Sequence, residues 1–156
     1  MGIEIERKFL VIDNSWQTAG LTGKQYKQGY LIGSKTASVR IRIEGDKAFI
    51  NIKSATLGIR RQEYEYPIPL EEANEILDTL CVPPLIEKTR YHITHEGFTW
   101  ELDVFQGLNK GLVVAEIELT SEEQVFSKPA WVGEEVSDDP RYYNVNLVEH
   151  PFTAWT

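Results

Sequence analysis

The sequence predicts a mainly β fold of the α+β class, an eight-stranded antiparallel closed barrel with helices packed outside. Three observations predict it. Eight short stretches alternate apolar and polar residues, which is the periodicity of β-strands. On most of them the polar positions carry charges of one sign spaced two apart, as in Arg40 and Arg42 or Glu116 and Glu118, and such residues share a strand face. Segments with helical periodicity add apolar faces that can cover a barrel from outside.

The predicted strands follow one another along the chain. They are placed at residues 3–12, 25–32, 38–44, 48–54, 60–66, 86–94, 98–105 and 112–120. Tight hairpin turns are predicted around Gly45 and Gly97, because glycine tolerates the positive φ that such turns demand. Consecutive strands are therefore expected to be mostly antiparallel.

Three segments are predicted to be helical. Residues 70–80 place an apolar face toward the sheet, made of Leu70, Ala73, Ile76, Leu77 and Leu80. This helix has acidic residues in its first turn and two prolines beyond its end. Residues 121–126 begin with a serine N-cap followed by acids, which predicts a short second helix. Residues 144–148 are expected to add a turn of helix near the C-terminus.

Two architectures fit the two faces of these strands, one uniformly apolar and the other charged. In a sandwich the apolar faces meet in a core, whereas in a closed barrel helices cover the apolar outside and the charges line the interior. Alternation alone favours the sandwich. The gathering of like charges strand by strand favours the barrel, because a solvated face usually intersperses both signs and neighbouring like charges repel.

Length and charge limit the classes of function. With 156 residues and 42% apolar content, the chain is predicted to form one domain over residues 1–156. A net charge of −8 argues against general affinity for nucleic acid or an anionic membrane. No apolar run approaches roughly 18 residues and no basic, apolar leader is present, so neither export nor membrane spanning is expected. The single cysteine, Cys81, excludes an intrachain disulfide and suits the cytoplasm.

The basic positions of the charged face suit a chain of phosphates. Arg40 and Arg42 lie on one strand, Lys53 on the next, and Lys88 and Arg90 on a later one. Guanidinium groups make bidentate contacts to phosphate that ammonium groups cannot make. This arrangement favours an oligophosphate over a single phosphate.

The acidic pairs of the same face suit a divalent metal. Glu4 with Glu6 and Glu116 with Glu118 offer the hard oxygen ligands that Mg²⁺ or Mn²⁺ prefers, and these ions commonly bridge to substrate phosphates. With metal and basic side chains sharing the phosphate charge, a water can attack the terminal phosphorus in line. Lys8, on the same face as Glu6, could orient that water or hold a phosphate oxygen.

The charged pairs also carry a family resemblance. Residues 4–8, Glu-Ile-Glu-Arg-Lys, resemble the Glu-x-Glu-x-Lys signature of the CYTH superfamily, the triphosphate tunnel metalloenzymes. The later pairs follow in that family's order: Arg-x-Arg, a Lys one strand on, Glu-x-Glu, Lys-x-Arg, an acid and Glu-x-Glu. Residues 133–136 and 141–144 resemble the tail of its small bacterial branch. The resemblance therefore covers almost the whole chain.

The resemblance implies an antiparallel tunnel that binds a triphosphate and needs Mg²⁺ or Mn²⁺. It implies phosphate contacts from Lys8, Arg40, Arg42, Lys53, Lys88 and Arg90. It implies metal ligands, direct or through water, at Glu4, Glu6, Asp103, Glu116 and Glu118. Glu63 and Glu65 match an acidic pair that forms a second metal site or orients basic neighbours. Some relatives activate water with a Lys and Tyr pair, which implies catalytic roles for Lys53 and Tyr30 beside Lys8.

Three functions stay open on the sequence. The first is a metal-dependent triphosphatase acting on inorganic tripolyphosphate, since no convincing pocket for a base or thiazolium ring is seen. The second is a class IV adenylate cyclase, which the same family contains. The third is a non-catalytic polyphosphate-binding module, although so many carboxylates would weaken simple anion binding. The expected partner is a small-molecule triphosphate, without nucleic acid or membrane, and a homodimer is left open.

Overall fold

The computed structural model describes residues 2–56 and 58–155. The strands are β1 (Ile3–Val11), β2 (Lys24–Gly33), β3 (Ala37–Glu44), β4 (Lys47–Ser54), β5 (Arg60–Ile68), β6 (Val82–His95), β7 (Phe98–Phe105), β8 (Val113–Glu118) and β9 (Val132–Glu135). The helices are α1 (Leu70–Thr79) and α2 (Asn144–Glu149), with short 3₁₀ turns at Gly107–Asn109, Pro140–Tyr142 and Phe152–Ala154.

Eight of these strands close into an antiparallel barrel. They follow the order β5-β4-β3-β2-β6-β7-β8-β1, and β1 returns to β5 by pairing Ile3 with Gln62 and Ile5 with Arg60. The predicted barrel is therefore confirmed and the sandwich is wrong. A ninth strand, β9, was not predicted. It pairs with β1 through Val132 and Val11, so it extends the sheet outside the barrel.

Helix α1 covers the apolar outside of β3 and β4, as predicted. Ala73 and Leu77 are buried against Ile41, Ile43 and Ala48. Full burial of a leucine side chain contributes about 1.5–3 kcal/mol, so this contact holds the helix on the barrel. The helix ends one residue before the predicted boundary, within the usual uncertainty of helix termini.

A second apolar cluster covers the outside of β1, β7 and β8. Its centre is Trp100, whose ring makes edge contacts with Phe9, Phe126 and Trp131 at centroid distances of 5.5 to 5.8 Å. The segment that delivers Phe126 was predicted as a helix over residues 121–126, and that prediction is wrong. The Gln124 side chain instead accepts hydrogen bonds from the backbone N–H and hydroxyl of Thr120, which tightens the chain into a turn.

One end of the barrel interior is apolar, and α2 lies across it. The inward face of β1 continues from Lys8 to Leu10, and that of β8 runs from Glu116 to Val114, its register partner. Leu147 and Val148 of α2 are buried in this cluster, together with Tyr30, Ile86, Phe105, Leu112 and Val114. The predicted C-terminal helix is thus present, but it covers the end of the barrel and not its outer wall.

Strand β6 begins four residues before its predicted start. It includes Pro83 and Pro84, which cannot donate to the ladder. The pairing with β2 changes register between Gln28 and Tyr30, so this irregular stretch tolerates the missing donors. In the described part of the chain, no helix has the length and apolar character needed to cross a bilayer.

Candidate functional site

The charged side chains predicted for the site converge inside the barrel. They line two adjoining cavities of about 330 and 160 Å³, which share Glu6, Arg40, Lys53, Glu116 and Asn144. The predicted residues that line one or both are Glu4, Glu6, Lys8, Tyr30, Arg40, Arg42, Lys53, Glu63, Glu65, Lys88, Arg90, Glu116 and Glu118. Among the predicted site residues, Asp103 alone does not line either cavity.

Strand register explains this convergence. Glu6 lies opposite Glu118, and Lys8 lies opposite Glu116, across the β1–β8 ladder. Directly paired residues of neighbouring strands point to the same face. Because the sheet is closed and its apolar face is covered, the charged positions of successive strands are directed at one another around the lumen.

Arg40 is a buried cation without a charged partner. Its side chain lines both cavities, and the residue is only 8% exposed. Within residues 2–56 and 58–155, no carboxylate lies within 4.0 Å of its guanidinium group, and its Nε has no hydrogen-bond partner. A buried guanidinium group in this state is a strong site for an anion.

Asp103 lies behind the lumen as the anchor of two basic side chains. Its Oδ1 accepts a 2.7 Å hydrogen bond from Arg90 Nε, and its Oδ2 accepts one of 2.8 Å from Arg90 Nη2. Lys88 Nζ lies 2.8 Å from Oδ2. Burial would raise the pKa of Asp103, but the charges of Arg90 and Lys88 lower it. Both oxygens are therefore engaged by cations, and the role of Asp103 as a metal ligand stays a prediction.

Lys88 is the most deeply buried basic residue of the lumen. It is 2% exposed. Burial lowers the pKa of its ammonium group to about 8, although the charge of Asp103 acts in the opposite direction. Its charge is thus sensitive to pH in a range where an exposed lysine is always protonated.

Four acidic side chains form two hydrogen-bonded pairs, Glu6 with Glu116 and Glu4 with Glu63. Burial and the neighbouring charge of Glu116 raise the pKa of Glu6 well above its usual value. Burial would also raise the pKa of Glu116, but Lys8 and the hydrogen bond shared with Glu6 lower it far below its usual value. Burial and a hydrogen bond with Glu63 raise the pKa of Glu4 to about 7. In each pair, one carboxyl group therefore keeps its proton to a higher pH than an ordinary glutamate does, and the other loses its proton at a lower pH.

These carboxylates fit a divalent cation. Glu4, Glu6, Glu116 and Glu118 come from neighbouring strands β1 and β8 and supply only hard oxygen donors, as Mg²⁺ and Mn²⁺ require. Carboxylate ligands bind a metal ion in their ionised form, so a metal ion that binds crowded carboxyl groups displaces the protons they hold. No group of three such side chains is already drawn together in metal-binding geometry within the described residues.

The raised pKa of Glu4 predicts how unfolding depends on pH. The pKa of Glu4 is about 7 in the folded chain, against the usual value of 4.5. Between these two pH values the folded state therefore binds more protons than the unfolded state. That stabilisation is complete below about pH 4.5 and is lost as pH rises through 7. In EDTA, the melting temperature of the protein should therefore fall between pH 5 and pH 7.5.

Glu4→Gln is the matched control, because its side chain cannot ionise. The fall in melting temperature over this window should be smaller in Glu4→Gln, and Mg²⁺ should stabilise the parent protein more at pH 7.5 than at pH 5. Identical pH profiles for the two proteins, measured by calorimetry in EDTA, would remove the assignment of a raised pKa to Glu4.

The predicted water-activating residues lie on the larger cavity. Lys53 Nζ lies 3.4 Å from Glu4 and 3.6 Å from Glu63, so its charge is shared between two carboxylates. Tyr30 pairs in register with Arg40 and is buried. Lys8 Nζ donates a 3.0 Å hydrogen bond to the Tyr142 carbonyl. The structure brings these side chains to one cavity, while their catalytic roles stay predictions.

Glu63 and Glu65, the acidic pair of β5, contact basic side chains. Glu63 accepts a 3.2 Å hydrogen bond from Asn51 Nδ2 and lies near Lys53. Burial would raise its pKa, but the hydrogen bond with Glu4 and the charge of Lys53 lower it to about 2. Glu65 lies 2.5 Å from Arg42 Nη2. The contacts of this pair fit the orientation of basic side chains.

Residues from the C-terminal segment complete the site, and sequence reasoning missed them. Asn144 lines both cavities and accepts a 3.2 Å hydrogen bond from Gln28 Nε2. The Tyr143 ring lies 5.0 Å from the Arg61 guanidinium group, and its hydroxyl donates to the Ser137 carbonyl at 2.6 Å. Gln28 was identifiable as a polar residue at an inward position of its strand. The position of Asn144 depends on how α2 packs, which no local pattern reveals.

Known proteins are similar to this chain in sequence and in fold. The family model described as the CYTH domain matches residues 2–144. An inorganic triphosphatase of Acetivibrio thermocellus is 53% identical over 152 residues, covering 97% of both chains. An inorganic triphosphatase of Nitrosomonas europaea is 39% identical over 148 residues, covering 92% of this chain and 95% of its own. The crystal structure of an inorganic triphosphatase gives a TM-score of 0.67 at 36% identity, covering 93% of each chain.

Proposed function

This chain belongs to the CYTH domain family, and we propose that it is a divalent-metal-dependent inorganic triphosphatase that hydrolyses the terminal phosphoanhydride of tripolyphosphate inside the barrel. The observation that carries the proposal is the buried guanidinium group of Arg40, which has no carboxylate within 4.0 Å among the described residues, in a lumen that also holds crowded carboxylates. Such a lumen offers sites for an oligophosphate and for a cation in one enclosed space. The relatives named inorganic triphosphatase support the same assignment.

Basic side chains hold the phosphates in this proposal. Arg40 binds phosphate oxygens with its full charge, while Lys88 and Arg90 approach from β6 with their geometry fixed by Asp103. Arg42, with Glu65 as its partner, extends the basic surface along β3. Positioning and electrostatic stabilisation of the transferred phosphoryl group supply most of the acceleration in such reactions. We assign Asp103 to holding these cations, since both of its oxygens already accept from them.

The acidic pairs hold the cation. Mg²⁺ is the proposed ion, with Glu4, Glu6, Glu116 and Glu118 as ligands, direct or through water, and when bound it polarises the phosphoryl group. Lys53 and Tyr30 orient the attacking water from the larger cavity. The water oxygen bonds to the terminal phosphorus, the bond to the bridging oxygen breaks, and orthophosphate and pyrophosphate result. A reducing compartment such as the cytoplasm fits the single cysteine.

A substrate panel tests the proposal. Purified protein is incubated with Mg²⁺ and tripolyphosphate, ATP or thiamine triphosphate, and orthophosphate, pyrophosphate and cyclic AMP are measured. Equal amounts of orthophosphate and pyrophosphate from tripolyphosphate, abolished by EDTA, are expected. Cyclic AMP with pyrophosphate from ATP would instead identify an adenylate cyclase. Binding of tripolyphosphate without turnover would reduce the chain to a polyphosphate-binding module.

The low pKa of Lys88 predicts a pH-dependent affinity. In the free protein the ammonium group loses its proton above about pH 8, so tripolyphosphate binding must then take up a proton. In EDTA, affinity should fall by up to about tenfold per pH unit above pH 8, relative to Lys88→Arg, whose charge persists. Calorimetric titrations between pH 7 and pH 9.5 measure this difference. Parallel pH profiles for the two proteins would contradict the assignment of Lys88 as a phosphate ligand.

A further inference from the structure

Two neutral amide side chains lie beside the phosphate-binding arginines of β3. Asn51 pairs in register with Arg40 across β3 and β4, and Gln28 pairs with Arg42 across β2 and β3. Asn51 and Gln28 are both fully buried, with no exposed surface. Each amide therefore lies on the inward face directly beside a guanidinium group.

The unsatisfied polar atoms of the site form matching sets. Within residues 2–56 and 58–155, buried side-chain atoms without a hydrogen-bond partner include Arg40 Nε, Arg42 Nε, Asn51 Oδ1 and Gln28 Oε1. The first two are donors and the last two are acceptors. The Glu44 carboxylate lies 3.1 Å from Arg42 Nε but is not aligned for a hydrogen bond. Buried polar atoms left unpaired are costly, so four in complementary positions require a reason.

The orientation of the Asn51 amide supports the pairing with Arg40. Asn51 Nδ2 donates to Glu63 Oε1 on the β5 side at 3.2 Å. The reverse orientation would direct the amide oxygen at a carboxylate, so Oδ1 must face away from Glu63. Gln28 Nε2 donates to Asn144 Oδ1 at 3.2 Å, and in this arrangement Gln28 Oε1 has no partner.

The geometry points to Asn51 and Gln28 as positioning residues whose amide oxygens accept from the Nε of Arg40 and Arg42 when the guanidinium groups bind phosphate. This inference rests on the proposed function and deepens it. An acceptor at Nε leaves the terminal N–H groups of an arginine for bidentate phosphate contacts. At Arg40 a neutral acceptor does so without cancelling the charge, whereas Arg42 also has the carboxylates of Glu44 and Glu65 beside it.

Arg90 and Arg40 differ in the charge of the groups that surround them. Arg90 is held by Asp103, Glu101 and Glu116, so carboxylates compensate its charge. Arg40 has Asn51 and Tyr30 as its register partners, and no carboxylate of the described residues forms an ion pair with it. The lumen thus contains one arginine held by ion pairs, Arg90, and one beside neutral groups, Arg40.

A double-mutant cycle tests the inference. Asn51→Leu should weaken tripolyphosphate binding, measured by calorimetry in EDTA, by about tenfold, the loss typical of one hydrogen bond to a charged group. Arg40→Lys removes the Nε donor but keeps the charge. In the Arg40→Lys background, Asn51→Leu should then cost less than about twofold, because the two residues act as one unit.

The second pair provides the matched control. Gln28→Leu should be non-additive with Arg42→Lys but additive with Arg40→Lys, and Asn51→Leu should show the reverse specificity. Should Asn51→Leu fail to fold, the Gln28 and Arg42 cycle carries the same test. Additive losses in both within-pair cycles would overturn the inference.

The outcome is separable from the proposed function. Turnover of tripolyphosphate by the parent protein with additive cycles would leave the triphosphatase standing and remove the positioning role. Non-additive binding losses within each pair, with no turnover of tripolyphosphate, would keep the positioning role and remove the triphosphatase. In kinetic assays with Mg²⁺, the loss should appear in KM more than in kcat, because the arginines bind the substrate before and during the reaction.

Discussion

Glu116→Gln is expected to lower Mg²⁺-dependent turnover of tripolyphosphate by at least about a hundredfold. Glu116 is the buried carboxylate whose pKa lies far below its usual value, whereas the pKa of Glu6 lies well above it, so Glu116 is the more acidic member of this pair. Its oxygens lie 3.9 Å from Lys8 Nζ and 3.2 Å from Arg90 Nη2. Glutamine keeps the shape but removes the charge that, in the proposed function, attracts the metal.

Turnover measured against Mg²⁺ concentration checks this result. The variant should need more Mg²⁺ and should stay slower at saturation. Glu87→Gln is the control, because Glu87 is exposed on the same barrel and belongs to no part of the site. A folded Glu116→Gln with the Mg²⁺ dependence of the parent protein would contradict the metal assignment.

Asp103→Asn is expected to destabilise the protein by about 3–5 kcal/mol, the usual cost of removing one partner of a buried ion pair. Asp103 is completely buried and compensates the charges of both Lys88 and Arg90. Its loss leaves the Arg90 guanidinium group without its main partner and removes the charge that favours the protonated form of Lys88. Tripolyphosphate supplies negative charge to the same cations, so it should restore part of the lost stability even in EDTA.

Chemical unfolding with and without tripolyphosphate measures both effects. This experiment also separates the two roles considered for Asp103. A metal ligand would, when removed, weaken Mg²⁺ binding and leave unfolding in EDTA nearly unchanged. Large destabilisation in EDTA, partly reversed by the anion, is the result expected for an anchor of the basic side chains.

The barrel and most of its charged interior could be predicted because their signals are local. Charges of one sign at Arg40 and Arg42, or at Glu116 and Glu118, lie two residues apart, and strand geometry alone puts each pair on one face. The repulsion within each pair then indicates an enclosed site of opposite charge. Closure through the pairing of β1 with β5 encloses the charged face and leaves no open strand edge between these two strands.

The parts that could not be predicted depend on contacts distant in sequence. Strand β9 forms because β1 has a free edge beyond β5, and α2 lies across the barrel end because Leu147 and Val148 meet apolar inward positions there. Residues 121–126 carry helix-start signals, yet packing of Phe126 on Trp100 prevails over this weak preference. Asp103 matches the acidic pattern, but only the three-dimensional arrangement shows that Lys88 and Arg90 occupy its oxygens.

A crystal structure of the metal-free protein grown with tripolyphosphate would show directly whether the charged lumen binds the substrate. Turnover is not expected without the cation, so the intact anion can be located. Tripolyphosphate is expected inside the barrel, with oxygens within hydrogen-bond distance of Arg40 and Lys88. Tripolyphosphate bound only on the outer surface, with none in the charged lumen, would contradict this expectation.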